Sequence, residues 1–216
     1  MKNTTILLSG GLDSVTMAYK LVKAGTADRA IYLNFSKASS SQEIRSAKRA
    51  ALSLGIPLEV VDLKGLGEIQ KDYSRSKFSN TLDLDIGMAA QSTGISGFHS
   101  VLAASGYFAQ LTGSSSVAVA ITKEQFSASR NLAEVFSLYS KSVSILNSSA
   151  GEFTIITPFK SYTKSDIVAE ARKLNVPIEN TWSCLTSEDA HCGECSQCIA
   201  RKDAFSGGED PTTYQA

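Results

Sequence analysis

Two groups of residues in this chain have types and spacings that suit chemistry. The first is the hexapeptide Ser9-Gly10-Gly11-Leu12-Asp13-Ser14. Adjacent glycines let the backbone approach a ligand closely, and the N–H groups of a turn that leads into a helix can bind phosphate oxygens. The two serine hydroxyls can donate hydrogen bonds, and Asp13 could orient the loop or help to hold a Mg²⁺ ion. The hexapeptide indicates an anion-binding loop, and the alternative is an ordinary turn in which the glycines only relieve strain.

The second group comprises the four cysteines of the chain, Cys184, Cys192, Cys195 and Cys198, which fall within fifteen residues. Four thiolates at this close spacing suit a tetrahedral Zn²⁺ ion, and a site with four sulfur ligands has no open position, which makes it structural. Iron–sulfur ligation also uses four cysteines, and four free thiols without metal are the third alternative. His191 adjoins a cysteine and is expected to be a neighbour of the site, not a ligand.

An anion-binding role requires the loop to lie between a strand and a helix. Thr4–Leu8 is a short apolar run typical of a strand, and apolar residues recur at helical spacing from Val15 to Val22. Residues 30–35 and 57–63 have strand character, and apolar residues between them recur at helical spacing. The first 63 residues therefore have the element order β-α-β-α-β, which predicts a parallel sheet. Ser40 and Glu43 form the expected capping box of the second helix. The loop has neither a Walker A lysine nor the third glycine of a dinucleotide fingerprint.

The α/β alternation resumes in the second half of the chain. Residues 64–94 carry no assignable element and are typical of a mobile or substrate-covering segment. The remaining predictions are helices over 99–111 and 131–146, strands over 116–121 and 153–157, and a helix capped by Thr163 and Asp166 that ends before Pro177. The sequence therefore predicts a three-layer α/β domain over 1–180, a zinc-binding segment over 181–205 and a tail over 206–216.

Composition excludes several classes of protein. The chain has 216 residues, of which 43% are hydrophobic and 19% charged, and this balance argues against disorder and against membrane-spanning segments. Lys plus Arg and Asp plus Glu both number 21, so no net charge attracts nucleic acid or anionic lipid. The start of the chain lacks the apolar core of a signal peptide. A cytoplasmic protein without nucleic-acid or membrane partners is expected.

The two motifs together carry a family resemblance. Leu8-Ser-Gly-Gly-Leu-Asp-Ser14 resembles the pyrophosphate loop of the N-type ATP pyrophosphatases. The C-terminal segment is similar to the zinc segment of one branch of that superfamily, the 7-cyano-7-deazaguanine synthases of queuosine biosynthesis. The matching residues are Thr181-Trp182-Ser183-Cys184, Cys192-Gly-Glu-Cys195-Ser-Gln-Cys198, Arg201 and Ala204-Phe205, preceded by Thr157-Pro158, Lys164, Ile167 and Val176-Pro177.

The resemblance implies a fold of the adenine nucleotide alpha hydrolase-like, or PP-loop ATPase, type with ATP, Mg²⁺ and Zn²⁺ as cofactors. It implies adenylation of 7-carboxy-7-deazaguanine or an analogue, followed by attack of a nitrogen nucleophile to give an amide or nitrile. Ser9, Asp13 and Lys164 are the candidate catalytic residues. His99 could contact substrate or transfer a proton, and the alternative is a merely structural histidine at the start of a helix. The residues expected to bind ATP are Leu8, Ser9, Gly10, Gly11, Leu12, Asp13, Ser14 and Arg130; Arg130 and Lys164 would balance phosphate charge unless they are solvated surface cations.

Three segments depart from the family where the acceptor is expected to bind. Residues 34–38 read Asn-Phe-Ser-Lys-Ala in place of Asp-Tyr-Gly-Gln, 94–99 replace a Pro-Ala-Arg-Asn segment, and 124–130 replace a longer substrate-side motif. A second hypothesis is therefore an antiviral-operon relative that joins the activated deazapurine acid to a protein amine. A third is a nucleotide-binding module that no longer turns over. A homodimer is compatible with each hypothesis, and zero net charge disfavours transfer-RNA thiolation.

Overall fold

The computed structural model describes residues 3–35, 39–68, 94–128, 131–146, 151–206 and 208–215, without the side chains of 94–99. The strands are β1 Thr4–Leu7, β2 Ala27–Asn34, β3 Leu58–Asp62, β4 Ser116–Ala118 and β5 Thr154–Ile156. The helices are α1 Leu12–Lys23, α2 Ser40–Leu54, α3 Gly94–Leu111, α4 Lys123–Ala128, α5 Leu132–Leu146, α6 Lys164–Lys173 and α7 Ser196–Ala204, with a 3-10 turn at Ile178–Asn180. Within these ranges no helix combines the length and the apolar character needed to cross a bilayer.

The five strands form one parallel sheet in the order β3-β2-β1-β4-β5. The central strand β1 pairs with β2 on one side and with β4 on the other. The chain therefore winds outward in one direction from β1 to β3 and in the other direction from β4 to β5. In open parallel sheets, ligands bind outside the carboxyl ends of the strands at this point of reversal, which here lies between β1 and β4.

Alternating side chains of the strands supply two apolar layers. Ile6 and Leu8 pack with α1, α2 and α6 in a core that includes Val15 and Ile167. Leu7, which points to the opposite face, packs against the apolar residues contributed by α3 and α5. Helices thus cover both faces of the sheet, because the central strand β1 packs apolar side chains on both sides. The predicted three-layer, parallel α/β fold is confirmed.

Local details of the elements differ from the prediction in two ways. The capping box of Thr163 and Asp166 is present at the start of α6. The predicted box of Ser40 and Glu43 is wrong, because Ser39 occupies the N-cap position of α2 and makes no capping hydrogen bond. The Glu43 carboxylate instead accepts hydrogen bonds from the hydroxyls of Ser39 (2.7 Å) and Tyr32 (2.9 Å). The helices α4 and α7 were not predicted as elements, and residues 64–68, for which no element was predicted, are helical.

Candidate functional site

The hexapeptide forms a tight loop between the carboxyl end of β1 and the start of α1. Gly11 occupies the N-cap position of the helix, so the free N–H groups of the first turn lie beside the loop. Gly10 has φ +81°, and a Cβ atom at this position would lie 2.3 Å from the carbonyl oxygen of Glu43 in α2. Only glycine combines this backbone conformation with this close approach. The loop therefore lies directly against α2.

Two serines hold the loop in shape. The Ser14 hydroxyl donates to the carbonyl of Gly11 (3.1 Å) and accepts from the Ser9 backbone N–H (3.2 Å). The hydroxyls of Ser9 and Ser14 are 3.0 Å apart, within hydrogen-bonding distance. Ser14 is buried, whereas Ser9 is exposed at the surface of the site. The loop is therefore organised from within, with Ser9 available to a ligand.

Asp13 and Lys164 form an ion pair beside the loop. The Lys164 ammonium donates to Asp13 Oδ2 at 2.5 Å, and the two side chains are 23% and 16% exposed. Lys164 is the first residue of α6, so the cap formed by Thr163 and Asp166 fixes its position. Asp13 Oδ1 is buried and has no hydrogen-bonding partner in the described part of the chain. A buried carboxylate oxygen left without a partner suits a hard divalent cation such as Mg²⁺.

The other predicted ATP-binding residues divide into two groups. Leu8 and Leu12 have buried side chains in the core, so only their backbones can face a ligand. The Leu8 N–H donates to the carbonyl of Ile31 in β2 at 2.9 Å, which ties the start of the loop to the sheet. Arg130 and the side chain of His99 lie outside the described residues, as does most of the predicted covering segment, 69–93.

The four cysteines meet in one cluster, in which all four Sγ atoms lie within 4.8 Å of one another. The Sγ atoms of Cys192 and Cys198 are 3.9 Å apart, close to the ~3.8 Å edge of a tetrahedron with zinc–sulfur bonds of about 2.3 Å. Backbone N–H groups point at the sulfurs, as from Cys192 to Cys184 Sγ (3.4 Å) and from Cys195 to Cys192 Sγ (3.3 Å). These donors stabilise thiolates. The cluster therefore fits a single ion and is too small to surround an iron–sulfur cluster.

Hydrogen bonding also tunes one thiol of the cluster. The Thr186 hydroxyl and, after it, the Cys195 N–H lower the pKa of the Cys192 thiol to about 6. A thiol with this pKa is largely a thiolate at neutral pH, which is the form that binds metal. Four sulfur donors around a single position suit Zn²⁺.

The cysteine segment touches the loop through Trp182. The Trp182 N–H donates to the carbonyl of Gly10 at 2.9 Å, while its indole N–H donates to the carbonyl of Cys184, also at 2.9 Å. Its ring stacks on His191 with the centroids 4.4 Å apart. Burial, followed by the charge of Arg201, lowers the pKa of His191 to about 4, which keeps the imidazole neutral. His191 Nε2 accepts from the Ser183 N–H (3.0 Å) and is thus a neighbour of the metal site, as predicted.

Sequence reasoning missed the structural role of Arg201, a fully buried arginine of α7. Its guanidinium donates to residues of the 178–183 segment and to Thr212 near the C-terminus. The available signal was its spacing, because Arg201 lies three residues after Cys198 and three before Ala204, on the face of the helix that those residues bury.

A parallel sheet in this strand order, with a glycine loop after its first strand, places the chain in the class of PP-loop ATPase-type α/β proteins. Two solved structures share this fold. An NMN synthetase from Francisella tularensis has a TM-score of 0.52 at 16% identity, over 97% of this chain and 78% of its own. An NH₃-dependent NAD synthetase from Campylobacter jejuni has a TM-score of 0.50 at 16% identity, over 81% of this chain and 65% of its own.

The family model for "Queuosine biosynthesis protein QueC" matches residues 3–209, and the chain belongs to the QueC family. A 7-cyano-7-deazaguanine synthase from Brucella ovis is 28% identical over 98% of this chain and 93% of its own length. The predicted family is thereby confirmed, and with it the prediction of an ATP-dependent enzyme.

Proposed function

We propose that the chain uses ATP to adenylate the carboxylate of 7-carboxy-7-deazaguanine or an analogue, and that a nitrogen nucleophile then displaces AMP. The observation that carries this proposal is the glycine loop at the carboxyl end of β1, with the Asp13–Lys164 ion pair beside it. Family membership and the names of the relatives support the deazapurine substrate class.

The reaction has two steps, adenylation and displacement of AMP. A carboxylate oxygen attacks the α-phosphorus of ATP, and the bond to pyrophosphate breaks. The nitrogen nucleophile then attacks the acyl carbon, AMP leaves with that carboxylate oxygen, and the nitrogen loses a proton to solvent. A carboxylate resists attack until its oxygen becomes part of a good leaving group, which is why activation by ATP is needed. Conversion of an amide to a nitrile requires a second activation of the same kind.

The residues of the loop would hold the phosphates, both in bound ATP and as pyrophosphate departs. The N–H groups at the start of α1 and the Ser9 hydroxyl donate to phosphate oxygens, where preformed donors need no rearrangement. Lys164 adds a positive charge, and Asp13 Oδ1 is the ligand available to Mg²⁺, which when bound neutralises phosphate charge. In this proposal Ser9, Asp13 and Lys164 act directly on ATP, and Gly10, Gly11 and Ser14 shape the loop.

A second candidate differs in the nucleophile, which would be an amine of a protein. Two segments that depart from the family pattern follow strands whose carboxyl ends flank the loop. Phe35 comes directly after β2, and α4 follows β4 after a short connection. A changed acceptor pocket at this edge would leave adenylation intact and alter which amine is admitted.

Mass spectrometry and an oxygen label together test the proposal. The enzyme is incubated with ATP, Mg²⁺, ammonia and 7-carboxy-7-deazaguanine labelled with ¹⁸O in its carboxylate. Adenylation predicts pyrophosphate release and one ¹⁸O atom in each AMP formed. Asp13→Asn should remove AMP formation, whereas Asp28→Asn, a matched change at the amino end of β2, should leave it unchanged.

The product masses separate the candidates. An amide or nitrile formed from ammonia supports the small-molecule synthase, and pyrophosphate release with the adenylate as the only deazapurine product supports a protein acceptor. Unlabelled AMP, or ADP and phosphate as the products, would contradict carboxylate adenylation altogether.

A further inference from the structure

Arg201 is the largest fully buried side chain among the described residues, with no exposed surface. Its Nη1 donates to the hydroxyls of Thr181 (2.9 Å) and Ser183 (3.0 Å), and its Nη2 donates to the carbonyl of Ile178 (3.0 Å). One guanidinium therefore fixes three points along the segment 178–183. Arginine suits this role because its five donors form a rigid, planar fork.

The same guanidinium is held from the other side by the C-terminal residues. Its Nε donates to the Thr212 hydroxyl at 2.6 Å and lies 4.0 Å from Asp210 Oδ1. The Thr212 and Tyr214 hydroxyls both donate to Asp210, the latter at 2.7 Å. Arg201 is thus clamped between residues 210–214 and the segment 178–183.

The segment that Arg201 holds is the one that contacts the phosphate loop. Trp182 lies between the two hydroxyl acceptors of Arg201, and its N–H donates to the carbonyl of Gly10 at 2.9 Å. The Trp182 carbonyl lies 3.5 Å from the point where a Cβ of Gly11 would stand. The backbone of Trp182 therefore borders both glycines of the loop, and any movement of residues 181–183 is transmitted to them.

Burial lowers the pKa of Arg201, while the negative charges of Asp210 and Asp13 oppose this shift. The clamp therefore acts on the loop through the position of the segment 178–183.

We propose that Arg201 is a positioning residue for the phosphate loop, acting through Trp182. The proposal rests on the proposed function in so far as the loop binds the phosphates of ATP. The loop would hold the phosphates in bound ATP and in the transition state alike, so its displacement affects mainly KM.

The test compares Arg201→Lys with Arg172→Gln. Arg172 is a matched control because it also contacts the Phe205 ring and the C-terminal residues, donating to the Glu209 carbonyl, but among the described residues its side chain makes no hydrogen bond to 178–183. Lysine keeps the charge of Arg201 and loses the fork. We expect Arg201→Lys to raise the KM for ATP at least tenfold, with kcat changed less than threefold and zinc content unchanged. Arg172→Gln should match the wild type.

Amide hydrogen exchange gives a readout that does not depend on ATP. In Arg201→Lys, exchange over residues 9–14 should speed at least tenfold, while exchange in α5, on the opposite face of the sheet, stays at the wild-type rate. Equal acceleration everywhere would show a general stabilising role and overturn the proposal, as would an unchanged loop. If the wild type neither binds ATP nor forms AMP, the proposed function fails, and hydrogen exchange still decides the role of Arg201.

A second variant covers the case in which Arg201→Lys does not fold. Thr181→Val with Ser183→Ala keeps Arg201 and removes its two hydroxyl acceptors on either side of Trp182. The same local acceleration of loop exchange is expected. A folded, zinc-loaded double variant with wild-type loop exchange and wild-type KM would overturn the proposal.

Discussion

Gly10 and Gly25 have the same unusual backbone conformation but different surroundings. Their φ values are +81° and +68°, both in the left-handed region that favours glycine. A Cβ at Gly10 would collide with the backbone of Glu43 and Ala47 in α2, whereas nothing lies within 4 Å of a Cβ at Gly25. Substitutions at these two glycines therefore distinguish the free-energy cost of a left-handed backbone from the free-energy cost of steric crowding.

We expect Gly25→Ala to lower the free energy of unfolding by about 1 kcal/mol, the cost of a left-handed alanine, without changing AMP formation. Gly10→Ala should lower stability further and reduce AMP formation at least tenfold, because the loop or α2 must move. Urea unfolding and AMP assays on both variants provide the measurement. Similar activity in the two variants would show that the loop tolerates displacement.

Two ion pairs connect α1 with α6, and only one of them lies at the loop. Lys164 pairs with Asp13 at 2.5 Å, and Lys20 pairs with Glu170 at 2.6 Å, each partly buried. Lys20 also lies 5.5 Å from the ring centroid of Tyr162. Both pairs join α1 to α6, but only the Asp13–Lys164 pair lies at the loop that is proposed to bind phosphates.

Lys164→Met and Lys20→Met should each change the free energy of unfolding by about 1 kcal/mol or less. Only Lys164→Met is expected to lower kcat for AMP formation, by at least tenfold, because a cation at the phosphates is lost. Steady-state kinetics with ATP as the varied substrate checks this. Equal activity in both variants would assign Lys164 a structural role only.

Helix α6 shows how an element sets the position of a functional side chain. Its N-cap Thr163 and Asp166 form a capping box directly around Lys164. Hydrogen bonds from the Thr163 side chain and then from its backbone hold the pKa of the Asp166 carboxyl below its usual value. The ionised carboxylate therefore stabilises the folded state. This stabilisation is greatest at pH values where Asp166 is ionised in both the folded and the unfolded protein.

The contribution of Asp166 should depend on pH in a defined direction. Its folded pKa is lower than its unfolded pKa of about 3.9, so its stabilisation is complete above that value and is lost as pH falls through the folded pKa. Asp166→Asn should therefore lower stability at pH 7, with a smaller difference from the wild type at pH 3. Ser165→Ala, an exposed change in the same turn that does not titrate, is the control. A difference independent of pH would contradict the capping role.

Some structural features of the elements could be predicted from the sequence, and others could not. Local signals predicted the capping box of α6 and the strand–loop–helix unit, because short-range hydrogen bonds determine both. The box at Ser40 failed because Ser39 is the N-cap residue and because the hydroxyls of Ser39 and of Tyr32, from β2, bind the Glu43 carboxylate. The cysteine cluster was predictable because its spacing is short. The contact from Trp182 to Gly10 was not, since it joins residues that only the complete fold brings together.

At the scale of the whole molecule, the cysteine cluster, the C-terminal residues and the phosphate loop form one connected unit. The C-terminal residues pair with the cysteine segment at His191 and Tyr214, and the cysteine segment contacts the loop through Trp182. Among the described residues, the buried apolar residues of the local core around the cysteines are Trp182, Cys184 and Cys198. Such a small core cannot order the segment without a cross-link, which a bound metal would supply.

Removal of the metal should therefore affect the loop as well as the C-terminal segment. We expect elemental analysis to find about one zinc per chain, and a chelator to lower the Tm and weaken ATP binding. Trp182 is the only tryptophan of the chain, so its fluorescence reports directly on the joint between cluster and loop. Restoration of both signals by added zinc would show that the effect is reversible. Iron in the protein would contradict the prediction of zinc. Unchanged ATP binding after complete metal removal would show instead that loop and cluster are independent.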